Sequence, residues 1–447
     1  MAKSKKMYYC TECGQEQAKW AGRCPNCGAW HTLVEREVSK KQQKVKVDKT
    51  EEPEPINTDS AKQITRMGTN IGEFDRVLGG GLVQGSVILL GGEPGVGKST
   101  LMLQVLNKLD TSNVVYFSGE ESKEQIRLRA DRLEVEDEQL LLSTESSLEK
   151  IIYNMDKLTP NLIVVDSIQT VHSEEVNNIP GSITQVKECS SRLAQKAKEI
   201  GSIVILIGHI TKSGNIAGPK VMEHLVDTVL YLEGGDNDLY RVLRTMKNRF
   251  GSTNEVGIFS MNEKGLDSVD NPSSFFLSEQ KEKTPGTAVA VSMEGTRPFL
   301  IEIQALVTDS SYGNPQRTAH GIGYKRLSML LAVLEKRAGY QMGVEDVFVN
   351  IVGGMKIDET AINLSLVAAL ASSFRDKKLD PKSVYIGEVG LVGEVRAVPF
   401  IEKRVKEAAK FGYENIYIPD SNLDTVDQFE SQVIGVKSIG HFFSLVF

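Results

Sequence analysis

Between residues 66 and 269 short apolar runs alternate with stretches of helical periodicity. The runs at 87–90, 114–117, 162–165, 203–207 and 228–232 show almost no polar alternation. That is the pattern of strands covered on both faces, so it predicts a mainly parallel sheet with crossover helices, one of them at 100–109. A polar stretch at 270–285 reads as a linker, and a second α/β region follows over 286–447. Upstream, residues 35–60 are charged, contain Pro53 and Pro55 and lack periodicity, which predicts a flexible linker. Residues 1–34 are rich in Cys and Gly and hold both tryptophans. The expected domains are therefore 1–34, 61–269 and 286–447, in a multidomain α/β chain without a fixed-period repeat.

A length of 447 residues, 40% of them hydrophobic and 25% charged, suits several globular domains. No apolar run approaches the ~18 residues of a membrane span. The opening residues carry lysines in place of an apolar leader, so a cytoplasmic protein with no membrane partner is expected. Charge is uneven: residues 1–49 hold eleven Lys/Arg against five Asp/Glu, although the whole chain is at −7. A basic end on an acidic protein points to a phosphate-bearing partner or to solvated linker lysines, and charge alone does not choose.

Four of the five cysteines form two matching turns, Cys10-x-x-Cys13-Gly and Cys24-x-x-Cys27-Gly, ten residues apart. Each turn can place two thiolates on one ion, and two turns supply the four soft ligands of a closed structural Zn²⁺ site. Redox dithiols are the other reading. A module this small cannot bury enough apolar surface to fold alone, which favours one structural zinc per chain.

A second signal is Gly92-Glu93-Pro94-Gly95-Val96-Gly97-Lys98-Ser99-Thr100. It follows a predicted strand and opens a predicted helix, the context a phosphate-binding loop requires. Its backbone N–H groups would converge on phosphates of ATP, with Lys98 neutralising charge and the Ser99 hydroxyl ligating Mg²⁺. Asp166, at the end of the run 162–165, is the expected second Mg²⁺ partner. Glu120 and Glu121 follow the run 114–117; Glu120 is expected to orient the attacking water, against the alternative of a helix-start charge cluster.

These motifs, with LIVVDSIQT around Asp166 and KNRFG at 247–251, resemble the bacterial DNA repair protein RadA (Sms) family over essentially the whole chain. The resemblance implies a RecA-like P-loop ATPase core, an N-terminal four-cysteine zinc finger and a C-terminal Lon-protease-like domain. It implies a DNA-dependent ATPase and translocase that processes recombination intermediates, by branch migration and D-loop extension beside the RecA recombinase. Implied partners are single-stranded and branched DNA, RecA and further copies in a homo-hexameric ring. His209 matches the family's sensor position. Lys247 and Arg249, two apart in extended chain and so on one face, match a finger inserted into a neighbour's nucleotide site; a solvated basic loop is the other reading. Lys212 and Lys220 lie on a loop of the kind that grips DNA phosphates.

In the C-terminal region Thr360 stands where a Lon-type protease carries serine, and Glu402 where it carries the activating lysine. Serine-type attack needs an adjacent base, so the pair predicts a proteolytically inactive domain. The helix expected at 402–411, with Arg404, Lys406 and Lys410, offers either a nucleic-acid face or an ordinary amphipathic surface. An ATP-dependent peptidase and a non-motor ATP switch are the competing functions.

Overall fold

The computed structural model describes residues 5–11, 16–38, 65–135, 140–209, 222–234, 240–274, 276–277, 284–310, 313–426 and 431–447. Of residues 5–7, 16 and 35–38 only the backbone is described. Cys13, Lys212, Lys220 and most of the linker expected at 35–60 lie outside the described residues. The chain forms two compact units, Met1–Gln63 and Ile64–Phe447. In the first, the strand Lys5–Cys10 pairs antiparallel with Glu16–Gln17 and with Leu33–Val38.

The larger unit is built on a nine-stranded sheet: β1 (Val87–Gly92), β2 (Val114–Ser118), β3 (Leu140–Ser143), β4 (Leu162–Asp166), β5 (Ile203–His209), β6 (Thr228–Gly234), β7 (Tyr240–Asn248), β8 (Val256–Asn262) and β9 (Gly265–Ser268). Their spatial order is β9-β8-β7-β6-β1-β5-β4-β2-β3. The six strands from β6 to β3 run parallel, and β7, β8 and β9 extend the sheet antiparallel. Alternate residues divide between the two faces. Ile88 and Leu90 pack with Leu101 and Val105 of the helix Lys98–Lys108. Val87 and Leu89 pack with Val186 and Leu193 of the helix Ile183–Ile200. Covering both faces is why these runs lack polar alternation, and each buried aliphatic contributes about 1.5–3 kcal/mol. The helix Lys123–Arg132 begins at a capping box, in which the Ser122 hydroxyl accepts from Gln125 N–H and the Gln125 side chain accepts from Ser122 N–H.

The strand that begins at Tyr240 runs on to Asn248, because its pairing with β6 continues past Leu243 through a bulge. Lys247 therefore lies within β7. The stretch expected as a linker at 270–285 is packed in part: Ser273 is buried, and Phe276 meets Tyr240 edge-on with ring centres 5.3 Å apart. Ser273 also donates to Glu407 and accepts from Leu300 N–H, so polar and apolar contacts together anchor it. Beyond it, a four-stranded sheet holds Thr287–Glu294, Arg297–Asp309, Glu345–Ile351 and Arg317–His320 in that spatial order. A parallel three-stranded sheet joins Ser383–Tyr385, Asn415–Pro419 and Gln432–Val436. The helix Asn363–Phe374 is buried over most of its surface among them. Tyr240, Val242 and Val256 share a core with Phe299 and Ile301, so apolar packing is continuous between the nine-stranded sheet and the C-terminal region.

Arg404 does not belong to the exposed face, for nucleic acid or for solvent, that its helix was expected to offer; Lys406 and Lys410 remain on it. In Ile401–Lys410 the Arg404 side chain is fully buried, where it donates to Val291 O and pairs with Glu359. Periodicity placed it on the wet side, but a guanidinium with saturated partners can occupy a core position.

Candidate active site

The register of the sheet assembles the site. His209 at the end of β5 pairs with Gly92 at the end of β1, Ile207 of β5 pairs with Asp166 of β4, and Ser118 of β2 pairs with Asp166. Four adjacent parallel strands thus end at one carboxyl edge, where open α/β sheets bind ligands. From β1 the chain curls through Gly92–Gly97 into the helix Lys98–Lys108. Gly92 has φ 158°, and a Cβ there would fall 2.5 Å from Leu232 O, so only glycine lets β1 pass β6 at this point. Arg241 Nε donates to Val96 O at 2.9 Å and anchors the outer part of the loop.

A cavity of about 360 Å³ opens at this edge, lined by Gly95, Lys98 and Ser99 of the loop and by Glu120, Asp166 and His209. Lys98 is buried, and its Nζ donates to Gly92 O at 3.0 Å and Glu93 O at 2.8 Å. Burial lowers its pKa to about 8, although Asp166 and Glu120 pull the other way. Asp166 accepts from the Tyr116 hydroxyl at 2.5 Å, and the Ser99 hydroxyl nearby favours its ionised form. Desolvation raises its pKa, and the pKa of Tyr116 is driven well above the ordinary range by burial and by Asp166.

Glu120 accepts from the Ser167 hydroxyl at 2.5 Å and lies 3.3 Å from His209 Nε2. The hydrogen bond with His209 holds its carboxyl below the usual range, against the desolvation that opposes it. The adjacent Glu121 has a different job: it pairs with Arg129 at 2.6 Å. Lys98, Glu120, Asp166 and His209 are thus brought together, as a cationic cradle beside two carboxylates and an imidazole. Such a set has the parts that hydrolysis of a phosphoanhydride needs.

Sequence reasoning missed Arg129 and Arg132, which line the same cavity, and Tyr116 and Ser167, which hold its carboxylates. The i, i+3 spacing of the two arginines was a signal for one shared helix face. Tyr116 and Ser167 left no signal, since each acts through a neighbouring strand.

Lys247 and Arg249 are not brought to this cavity. Lys247 Nζ donates to Glu223 O at 2.6 Å and Val226 O at 2.8 Å. Arg249 pairs with Asp227 at 3.0 Å, and Asp227 also accepts from Val87 N–H at the start of β1. That is the amino end of β1, roughly 20 Å from the loop at the rise of an extended strand. Thr360 Oγ1 donates to Glu388 Oε2 at 2.6 Å, and Glu402 is exposed at the start of its helix. No lysine bonds Thr360 among the described residues.

In the smaller unit the sulfurs of Cys10, Cys24 and Cys27 all lie within 4.8 Å of one another. The Gly28 N–H donates to Cys24 O at 2.9 Å and closes the turn that holds two of them. The buried core of this unit among the described residues is only Cys10, Cys24 and Leu33. Converging thiols around so small a core suit a soft metal ion, which would supply the missing folding free energy.

Comparison with known proteins gives three concordant results. Residues 53–215 match the AAA domain family, and residues 8–35 match the rubredoxin metal binding domain. The chain is 48% identical to DNA repair protein RadA of Bacillus subtilis (strain 168) over 448 residues, 98% of each chain. It is 47% identical to DNA repair protein RadA of Halalkalibacterium halodurans, again over 98% of each. With DNA repair protein RadA of Streptococcus pyogenes serotype M1 it shares 44% identity over the full length of both.

Proposed function

The chain belongs to the DNA repair protein RadA family, and on that premise we propose that it is a DNA-dependent ATPase and translocase acting on recombination intermediates. Its substrates would be single-stranded and branched DNA, processed by helicase-like branch migration beside a RecA recombinase in the cytoplasm. The observation that carries the ATPase reading is the meeting of Lys98, Glu120, Asp166 and His209 in one cavity at the ends of four adjacent strands.

In this reading the loop N–H groups and Lys98 hold the β- and γ-phosphates of ATP. Ser99 and Asp166, which line the same cavity, are the pair suited to hold Mg²⁺, which would neutralise phosphate charge. Glu120, kept ionised by His209, orients the attacking water, and His209 senses the γ-phosphate through that same contact. Lys247 and Arg249 sit a strand length from their own loop, which supports action on a neighbouring subunit's nucleotide in a homo-hexameric ring. The cysteine cluster, completed by Cys13, is assigned to one structural Zn²⁺. The division into 1–34, 61–269 and a Lon-protease-like 286–447 is part of the proposal. Thr360 bonded to a carboxylate, with no lysine bonded to it among the described residues, speaks against a peptidase.

The test is the ATPase rate measured with single-stranded, duplex and branched DNA. Stimulation by single-stranded or branched DNA is the expected result, and turnover indifferent to all three would favour an ATP switch. Metal analysis under reducing conditions should return one zinc per chain.

A further inference from the structure

The smaller unit carries a surface that its cysteine chemistry does not use. The chain has two tryptophans, Trp20 and Trp30, and they are 59% and 66% exposed. An indole left this open forgoes most of the stabilisation its burial would bring, so a pair of them marks a binding surface. They are neighbours: a Cβ built on Gly22 would lie 3.9 Å from the Trp20 ring and 3.8 Å from the Trp30 ring. Both rings thus approach the same backbone position.

The backbone beneath them is tied to the metal-binding turn. Arg23 and Trp30 form an antiparallel bridge, His31 N–H donates to Gly22 O at 3.0 Å, and Cys24 N–H donates to Ala29 O at 2.9 Å. Arg23 Nε donates to Gly28 O at 2.8 Å, and its guanidinium carbon stands 5.8 Å from the centre of the Trp30 ring. Lys19 is exposed beside Trp20. The surrounding sequence, residues 1–49, carries eleven Lys/Arg against five Asp/Glu.

Two exposed indoles, a guanidinium held over one face of Trp30 and an excess of positive charge match one ligand chemistry. Unpaired bases offer π faces, and their backbone offers phosphates. We propose that Trp20 and Trp30 form a base-stacking clamp for single-stranded DNA, with Arg23 and Lys19 facing its phosphates. The clamp rests on the DNA-dependent reading above and deepens it, by adding the element that tells unpaired from paired strands. Bases inside a duplex already stack on each other and cannot enter.

Because both tryptophans belong to the clamp, the intrinsic tryptophan emission of the full-length protein reports on it alone. Unlabelled oligo-dT should quench that emission saturably, over the concentrations at which a labelled oligo-dT shows binding by anisotropy. Duplex of equal length should quench less. Trp20→Ala and Trp30→Ala should each weaken oligo-dT binding about five-fold or more, with phenylalanine restoring most of it. Zinc content should be unchanged in these variants. The slope of affinity against salt should also stay the same, because the phosphate contacts remain.

Anisotropy that reports binding while emission stays constant, with alanine variants that bind like the parent, would overturn the clamp and leave the DNA-dependent reading standing. A protein partner would then be the occupant of the indoles. Absence of any DNA binding or stimulation would bring down that reading and the clamp with it.

Discussion

Two clusters of opposed charges occupy the larger unit, and they are built in opposite ways. At the carboxyl edge of β1, Lys98, Glu120, Asp166 and His209 face an open cavity, and the pKa values of Lys98, Glu120 and Asp166 are displaced. In the C-terminal region, Arg404 is buried against Glu359, which also accepts from Ser292 Oγ and Met293 N–H. The first cluster leaves room for a ligand to complete its charge balance. The second is already saturated by the fold. Charge kept for chemistry stays accessible and strained in its protonation, whereas charge kept for structure is closed off.

The sharpest way to break this comparison is to remove one cation from each cluster. Lys98→Ala should reduce ATP hydrolysis to background while the thermal midpoint holds, because the lost charge served phosphates and not a core. Near-normal turnover would remove the phosphate-loop assignment. Arg249→Ala tests whether a cation a strand length away belongs to the open cluster of a neighbour. It should bind ATP almost normally and lose on the order of a thousand-fold in turnover. Mixing it with Lys98→Ala subunits should recover some activity where an intact finger meets an intact loop. Mixtures that co-assemble and stay inactive would count against the trans arrangement.

Arg404→Met should do the reverse of Lys98→Ala. It removes the buried guanidinium and leaves the half-buried Glu359 without its cation, at a cost of about 3 kcal/mol in a denaturant melt, with hydrolysis per folded molecule retained. A stable Arg404→Met protein that cannot hydrolyse ATP would erase the contrast. The smallest effect is on pH. In the nucleotide-free protein Lys98 loses its proton above about pH 8, and ATP requires it protonated. ATP affinity should therefore be level below pH 8 and fall as pH rises beyond it, by up to about ten-fold per unit. In Lys98→Arg the guanidinium keeps its charge, so equilibrium binding from pH 7 to 9.5 should lose this dependence.

How far the site was legible follows from how local each part is. Gly92–Thr100 could be read directly, because the loop, its strand and its helix are consecutive and its positive φ angles at 92, 95 and 97 favour glycine. Asp166 was legible as the polar end of an aliphatic strand. That Glu120 and not Glu121 meets His209 was only a preference in the sequence. The structure separates them because Arg129 takes Glu121 and Ser167 takes Glu120. The packing of Phe276 and the burial of Arg404 were not legible for one reason: a window of composition or periodicity does not show which distant surface a side chain will meet.

By itself the sequence determined the alternation of buried strands and helices, the phosphate loop, the paired cysteine turns and the family. Each of these is encoded in neighbouring residues, through hydrophobic period, backbone freedom or ligand spacing. Only the tertiary structure decided which strands lie side by side, and with that the meeting of residues 92, 120, 166 and 209. It also decided that Lys247 and Arg249 stand at the far end of β1, that Arg404 is sealed in the core, and that Trp20 and Trp30 flank one glycine. Those facts depend on register and packing between segments far apart in the chain, where the free energy of burial chooses among pairings that local propensity leaves equal.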